Sequence, residues 1–174
     1  PRTDTVIGLR DRALLALLYG TGIRATECAS LLQSDVDLTR MTITVVGKGG
    51  HQRTIPLNQR VAGALDVYCQ PRAPALPGVA FLRSGRGSAM SRFAVYERVR
   101  AWGIRARIHK LVTPHRLRHT FATDLLRQGA DIRVIQALLN HADLGTTAIY
   151  TKVVDAQTGE AVFRPPSSWE TTDR

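Results

Sequence analysis

The chain contains one β-hairpin pattern, and its other periodic segments are helical. Residues 41–46 and 53–57 are rich in β-branched side chains, and the glycines at positions 47, 49 and 50 supply the positive-φ positions that a tight turn needs. With 174 residues, 44% of them hydrophobic, the chain is long enough to form one folded domain. These features predict a mainly α fold with a small antiparallel β-sheet, in the α+β class.

Helical periodicity and capping residues define the remaining elements. Thr113 followed by Pro114 is a strong helix start, because Thr accepts a bond from an unpaired backbone N–H and Pro lacks that N–H. Gly129 ends this helix after Gln128. The sequence predicts helices over residues 9–19, 26–32, 59–69, 91–102, 113–128 and 131–140, a loop over 71–77, a short strand over 79–82, and a further helix from Leu144.

Positive charge is concentrated in one segment. The chain has 24 Lys and Arg against 14 Asp and Glu, which gives a net charge of +10. Between Arg83 and Arg118, ten basic residues stand against one acid, Glu97, so this segment carries nearly all of the excess. All but three of the basic residues are Arg, whose planar guanidinium suits phosphate oxygens. This pattern indicates binding to a polyanion such as nucleic acid.

Several other chemistries are disfavoured. Residues 47–50 (GKGG) lack the first Gly and the Ser or Thr of a nucleotide-binding loop, and they join two strands. His115 and His119 lack the third ligand of a zinc site, Cys28 and Cys69 lack metal-ligand spacing, and no Gly-x-Ser-x-Gly motif is present. No apolar run approaches the length needed to span a bilayer, and the sequence does not open on a charged segment followed by an apolar core, so we expect no signal peptide. We expect no metal, no cofactor, no membrane partner and a cytoplasmic location.

Individual polar residues have two interpretations each. His115 and Arg118 lie three apart and share a helix face, which suggests an anion site. Taken alone, however, such an Arg is more often a surface charge and such a His a structural residue at a helix start. Arg24 could bond the last carbonyls of the first helix, and Tyr150 could be a partly buried helix aromatic. The residues taken singly leave both alternatives open.

Five motifs occur together in this sequence. They are Gly22-Ile23-Arg24-Ala25-Thr26-Glu27, Lys48 on the turn, His115-Arg116-Leu117-Arg118-His119, Leu139-Asn140-His141 and Tyr150-Thr151. Together they resemble the catalytic domain of the tyrosine recombinases, the phage-integrase and Xer-like family, and the resemblance covers residues 8–153. The chain departs from that pattern at Asn140, where Gly is usual, at Lys152, where His is common, and at Cys28, where an apolar residue is usual.

The resemblance implies a role for each motif residue. Arg24 and Arg118 would clamp the scissile phosphate, and Glu27 would support the first Arg. Lys48 would protonate the leaving 5′ oxygen, and His115 and His141 would assist proton transfer and phosphate binding. Tyr150 would be the nucleophile. The set is physically sensible, since fixed cations stabilise the negative charge that develops on a phosphodiester under attack. An electropositive pocket also favours the tyrosine anion over the neutral phenol.

The resemblance further implies a site-specific recombinase that cleaves and rejoins double-stranded DNA through a 3′-phosphotyrosyl intermediate, in integration, excision, resolution or inversion. It would act without a cofactor at the nucleoid, as a homotetramer on DNA or a heterotetramer with a related recombinase, with accessory DNA-bending proteins. DNA backbone contacts are expected from Arg92, Arg98, Arg100, Arg105, Arg107 and Arg116. The alternatives are a type IB topoisomerase-like relaxing enzyme and a non-catalytic DNA-binding regulator.

The same resemblance divides the chain into two parts. We expect residues 1–156 to form the catalytic domain, and the family's N-terminal core-binding domain is not expected within these 174 residues. Residues 157–174 form a tail that either docks on a neighbouring protomer or stays disordered, because its Pro and Ser content permits both.

Overall fold

The predicted fold class is confirmed in the computed structural model, which describes residue 1 and residues 3–72 and 78–140. The chain forms helices around one small antiparallel sheet. In chain order the elements are α1 (Val6–Thr21), α2 (Ala25–Ser30), β1 (Val36–Asp37), β2 (Thr42–Val46), β3 (Gln52–Pro56), α3 (Gln59–Cys69), α4 (Arg92–Arg105), α5 (Pro114–Arg127) and α6 (Ile132–Asn140). The predicted helix from Leu144 and the predicted tail lie outside the described residues.

Side-chain caps set where four of these helices begin. Thr5, Asn58, Ser91 and Thr113 each accept a hydrogen bond, 2.8–3.2 Å long, from the backbone N–H three residues further on. Each bond satisfies an N–H group that has no partner inside its helix. The predicted starts at Ser91 and Thr113 are confirmed, whereas α1 begins three residues before its predicted start at residue 9 because Thr5 supplies the cap.

The sheet has the order β1-β2-β3, with antiparallel pairing throughout. Ile43 lies opposite Ile55 across the predicted hairpin, and Gly49 and Gly50 have φ of 82° and 81°, as their place in the turn requires. The two-residue strand β1 was not predicted. The predicted strand over 79–82 is wrong, because that segment forms only an isolated bridge through Ala80, and its apolar pattern reflects burial instead of strand pairing.

Helix α1 runs through the main hydrophobic core. Leu14, Leu17 and Leu18 are fully buried among side chains from the sheet and from α3 and α4. A second, smaller cluster joins α5 to α6 through apolar residues such as Phe121 and Leu138. No helix in the ranges described above is long and apolar enough to cross a bilayer.

Gly22 links the end of α1 to α5. Its φ of +64° turns the chain out of α1 in the left-handed conformation. A Cβ atom at this position would lie 2.5 Å from Cδ1 of Phe121 and 2.9 Å from Cδ2 of Leu139. Only a glycine therefore lets α5 and α6 pack this closely against the end of α1.

Candidate active site

Arg24 lies at the start of α2, immediately before its first turn. Its backbone N–H donates to Oε2 of Glu27 at 2.7 Å, and its Nη1 donates to Oε1 of the same carboxylate at 3.2 Å. The side chain of Arg24 is 44% exposed. The carboxylate thus fixes the helix start, while the Arg24 side chain remains partly exposed.

Glu27 is a buried acid shared by two arginines. Arg53, on β3, donates from Nη1 to Oε1 and from Nη2 to Oε2, both at 2.8 Å. Burial by itself would raise the pKa of Glu27, but the hydrogen bonds from Arg53 and from the Arg24 N–H, with the charges of both arginines, hold that pKa below 4.5. Glu27 therefore stays ionised at neutral pH.

Sequence reasoning missed Arg53. The residue pairs with Val45 of β2 and stands two positions before the buried Ile55, so it shares the core-facing side of the strand. A basic residue in phase with the apolar positions of a strand was the available signal, since such a charge needs a buried partner.

Helix α5 carries His115 and Arg118. His115 is exposed in the first turn, whereas Arg118 is partly buried and donates from Nη1 to the Gly22 carbonyl at 2.6 Å and from Nη2 to the Leu139 carbonyl. Burial, together with the nearby charges of Arg24 and Arg53, lowers the pKa of Arg118 to about 10, although Glu27 acts in the opposite direction. Arg118 is therefore still a cation at pH 7.

One cavity brings three of the predicted catalytic residues together. It has a volume of about 490 Å³, and its lining includes Arg24 from the start of α2 and His115 and Arg118 from α5. The opposite wall comes from α4, through Arg92, Phe93 and Tyr96. A larger cavity of about 820 Å³, between α1 and α3, is lined by none of the predicted site residues, so the smaller one is the candidate active site.

The other predicted catalytic residues are only partly covered. Lys48 begins the short 3₁₀ turn Lys48–Gly50 at the hairpin tip. His141 and Tyr150 lie outside the described residues, and their roles stay predictions. No cluster of three metal-ligating side chains occurs within residues 3–72 and 78–140.

The six arginines predicted to contact DNA lie in different surroundings. Arg92 lines the candidate active site, Arg100 and Arg107 are exposed, and the guanidinium of Arg105 lies 5.0 Å from the centre of the Trp102 ring. Arg116 is exposed and donates to the Leu111 carbonyl at 2.7 Å.

Arg98 differs from the other five. Both its Nε, at 3.0 Å, and its Nη2 donate to Oδ2 of Asp11, a fully buried acid in α1. Asp11 also accepts bonds from Arg10 and from the indole N–H of Trp102. This cluster, which we call the Asp11 cluster (Arg10, Asp11, Arg98 and Trp102), fastens α4 to α1, so Arg98 has a structural role whether or not it touches DNA.

The described part of the chain is thus a mainly helical domain with a small antiparallel sheet, in which Arg24, His115 and Arg118 line one cavity. A sequence profile of the phage integrase family matches residues 2–157. The chain belongs to this family, which confirms the resemblance noted from its motifs.

Curated relatives and solved structures agree with this assignment. Tyrosine recombinase XerD of Staphylococcus epidermidis is 40% identical over 154 residues, which are 86% of this chain and 52% of the relative. Tyrosine recombinase XerD of Ralstonia nicotianae is 41% identical over 158 residues, which are 88% of this chain and 51% of the relative. The crystal structure of XerA recombinase has 35% identity and a TM-score of 0.71, covering 90% of this chain and 59% of that one. The structure of XerH site-specific recombinase bound to difH substrate has 27% identity and a TM-score of 0.68, covering 87% of this chain and 45% of that one. The chain spans about half the length of the curated relatives it matches.

Proposed function

We propose that this chain is the catalytic part of a site-specific tyrosine recombinase acting on double-stranded DNA. The observation that carries the proposal is the cavity in which Arg24, His115 and Arg118 converge. Two guanidinium groups and an imidazole around one space suit a phosphodiester whose non-bridging oxygens gain negative charge during attack. The similar XerH structure is named as a site-specific recombinase bound to difH substrate, and the similar Tn1549 transposon integrase as a complex with a circular intermediate DNA, which supports DNA as the partner.

The proposed reaction transfers one phosphodiester at a time. The Tyr150 oxygen bonds to the scissile phosphorus as its phenolic proton passes to His115 or His141. The bond from phosphorus to the 5′ oxygen breaks, and the Lys48 ammonium gives a proton to that leaving oxygen. Arg24 and Arg118 hold the non-bridging oxygens, while His115 and His141 assist. The 3′-phosphotyrosyl bond conserves the energy of the broken phosphodiester, so attack by a 5′ hydroxyl from a partner strand reseals the DNA.

The assembly and location implied by the resemblance belong to the same proposal. Exchange of strands between two duplexes needs four cleavages, which we assign to a homotetramer or to a heterotetramer with a related recombinase, with accessory DNA-bending proteins. The enzyme would work in the cytoplasm, at the nucleoid. Residues 1–156 would be the catalytic domain and residues 157–174 the tail.

Covalent capture on nicked suicide duplexes tests the proposal. Duplexes from a randomised library that stay attached to the wild-type chain after denaturation would be enriched and sequenced. Tyr150→Phe should abolish the adduct, because it removes the nucleophilic oxygen. Tyr19→Phe is the matched control and should keep the adduct, since Tyr19 lines the other cavity. DNA binding without any adduct would contradict the enzyme and favour a regulator, and relaxation of supercoiled DNA without strand exchange would favour the topoisomerase alternative.

A further inference from the structure

Arg53 is held by one carboxylate and belongs to no predicted motif. Its side chain is only 12% exposed, and its two terminal nitrogens meet the two oxygens of Glu27 in parallel at 2.8 Å. Among the described residues its Nε has no hydrogen-bond partner. A bidentate pair of this kind fixes the plane and orientation of both groups, so Arg53 determines how the Glu27 carboxylate lies.

The orientation of that carboxylate in turn determines where Arg24 lies. Each oxygen of Glu27 accepts one bond from Arg53 and one from Arg24: Oε1 from Nη1 of Arg24, and Oε2 from its backbone N–H. Arg24 is half-exposed and would otherwise sample several rotamers. If the Glu27 carboxylate rotated, Oε2, which accepts from the Arg24 backbone N–H, and Oε1, which accepts from the Arg24 guanidinium, would move together.

Charge gives Arg53 a second effect on the same site. Glu27 lies beside Arg24, and its negative charge alone would cancel much of the attraction of Arg24 for a phosphate. Arg53 neutralises Glu27 from the core side, so the positive charge of Arg24 remains available on the cavity side. Arg53 does not line the cavity, so its hydrogen bonds reach Arg24 only through Glu27, although its charge also acts on Arg118 directly.

We propose that Arg53 is a positioning residue that sets Arg24 for phosphate binding through the shared carboxylate of Glu27. This role deepens the proposed recombinase function and, for its kinetic consequences, rests on it. Arg53 is expected to affect the rate of the chemical step, because the bond from Arg24 to the phosphate strengthens as negative charge develops there. The overall Kd for a duplex is expected to stay the same, because many other backbone contacts share it.

The first experiment needs no DNA and measures hydrogen exchange at the Arg24 backbone amide in the full chain. In Arg53→Met this amide should exchange on the order of 10-fold faster or more, as expected when a hydrogen bond to a charged group is weakened. The amide of Leu65, in the fully buried part of α3, should be unchanged and reports that the fold is intact. Unchanged exchange at Arg24 would overturn the proposal.

The second experiment measures single-turnover cleavage at saturating DNA, using a nicked duplex captured by the wild-type chain. Arg53→Met should slow cleavage by about 10-fold or more with an unchanged Kd for the duplex. The double variant Glu27→Gln/Arg53→Met should be no slower than the slower single variant, because both residues act through one link. Additive losses, a wild-type rate, or a loss confined to Kd would each overturn the proposal.

Two further variants keep these experiments decisive. Arg40→Met removes another arginine paired with a carboxylate, but Arg40 is 83% exposed and lies in the turn between β1 and β2, so its rate should match the wild type. If Arg53→Met does not fold, Arg53→Lys replaces it in both experiments, since it keeps the charge and loses the bidentate geometry. If the wild-type chain captures no DNA, the proposed function fails, and exchange at Arg24 still decides the role of Arg53.

Discussion

Replacement of Asp11 by Asn should destabilise the fold through the Asp11 cluster. Asp11 is fully buried and accepts bonds from two arginines and an indole N–H. The asparagine amide would keep one acceptor oxygen and turn an N–H₂ group toward a guanidinium. The two arginines differ in what they can recover: Arg98 is 35% exposed and can turn toward water, whereas Arg10, at 7%, cannot.

The size of the effect follows from that difference. Removing one partner of a buried ion pair typically costs about 3–5 kcal/mol. We expect about 3 kcal/mol, because only Arg10 loses its carboxylate without access to water, and its Nη1 keeps the bond to the Arg83 carbonyl. For a chain of this length, the corresponding fall in Tm is about 6–12 °C. Urea unfolding followed by circular dichroism measures the free energy of unfolding directly, and Glu97→Gln on α4 should change it little.

The dependence on pH separates this explanation from a packing defect. Burial alone would raise the pKa of Asp11, but bonds from Arg98, Arg10 and Trp102 hold it below 3.8. A lowered carboxylate pKa contributes stability above the unfolded value and loses it as the pH falls through the folded value. The difference in the free energy of unfolding between wild type and Asp11→Asn should therefore become smaller below about pH 4. A cost under about 1 kcal/mol at pH 7, or a gap of equal size at pH 7 and pH 3, would refute the reasoning.

Two further predictions concern backbone and charge. Gly22→Ala should destabilise the fold by about 1–3 kcal/mol, because it strains a positive φ and places a methyl group 2.5 Å from Phe121. Gly63→Ala in α3 has open space around it and should stabilise the fold by up to about 1 kcal/mol. Urea unfolding measures both free energies, and equal effects would contradict the packing at Gly22. Arg92→Met should reduce the slope of log affinity for duplex DNA against log salt by about 1, because Arg92 lines the candidate active site. Arg98→Met should leave the slope unchanged, because the Arg98 guanidinium faces Asp11. Equal slopes for the two variants would contradict the assignment of Arg92 to DNA and Arg98 to the Asp11 cluster.

Local chemistry made part of the fold predictable from the sequence. Helix α3 has the predicted bounds because apolar periodicity and the Asn58 cap agree, and α5 ends at Arg127 because Gly129, with φ of 86°, turns the chain away just after the Gln128 cap. The hairpin was recognisable from its glycines. The segment 79–82 misled because a buried apolar run and a paired strand have the same composition.

Tertiary contacts account for what the sequence did not reveal. Arg98 belongs to the basic segment and was predicted to contact DNA, but nothing in its neighbourhood along the chain indicates that a buried acid lies 87 residues earlier. The ion pair between Arg53 and Glu27 likewise joins residues that are far apart in the sequence, in this case by 26 positions. Residue types predicted the cations of the site, and the resemblance implied that Glu27 supports Arg24. The pairing of Glu27 with Arg53 and of Asp11 with Arg98 became visible only in three dimensions.

The two backbone carbonyls bonded by Arg118 have an entropic consequence. A free arginine side chain loses about 2 kcal/mol of rotamer freedom when it is immobilised. Because Gly22 and Leu139 already hold the guanidinium, that loss occurs when the chain folds and not when a phosphate arrives. An anion would therefore meet a prealigned group, which at about 2 kcal/mol corresponds to an affinity roughly 30-fold higher than for an equally charged but mobile side chain.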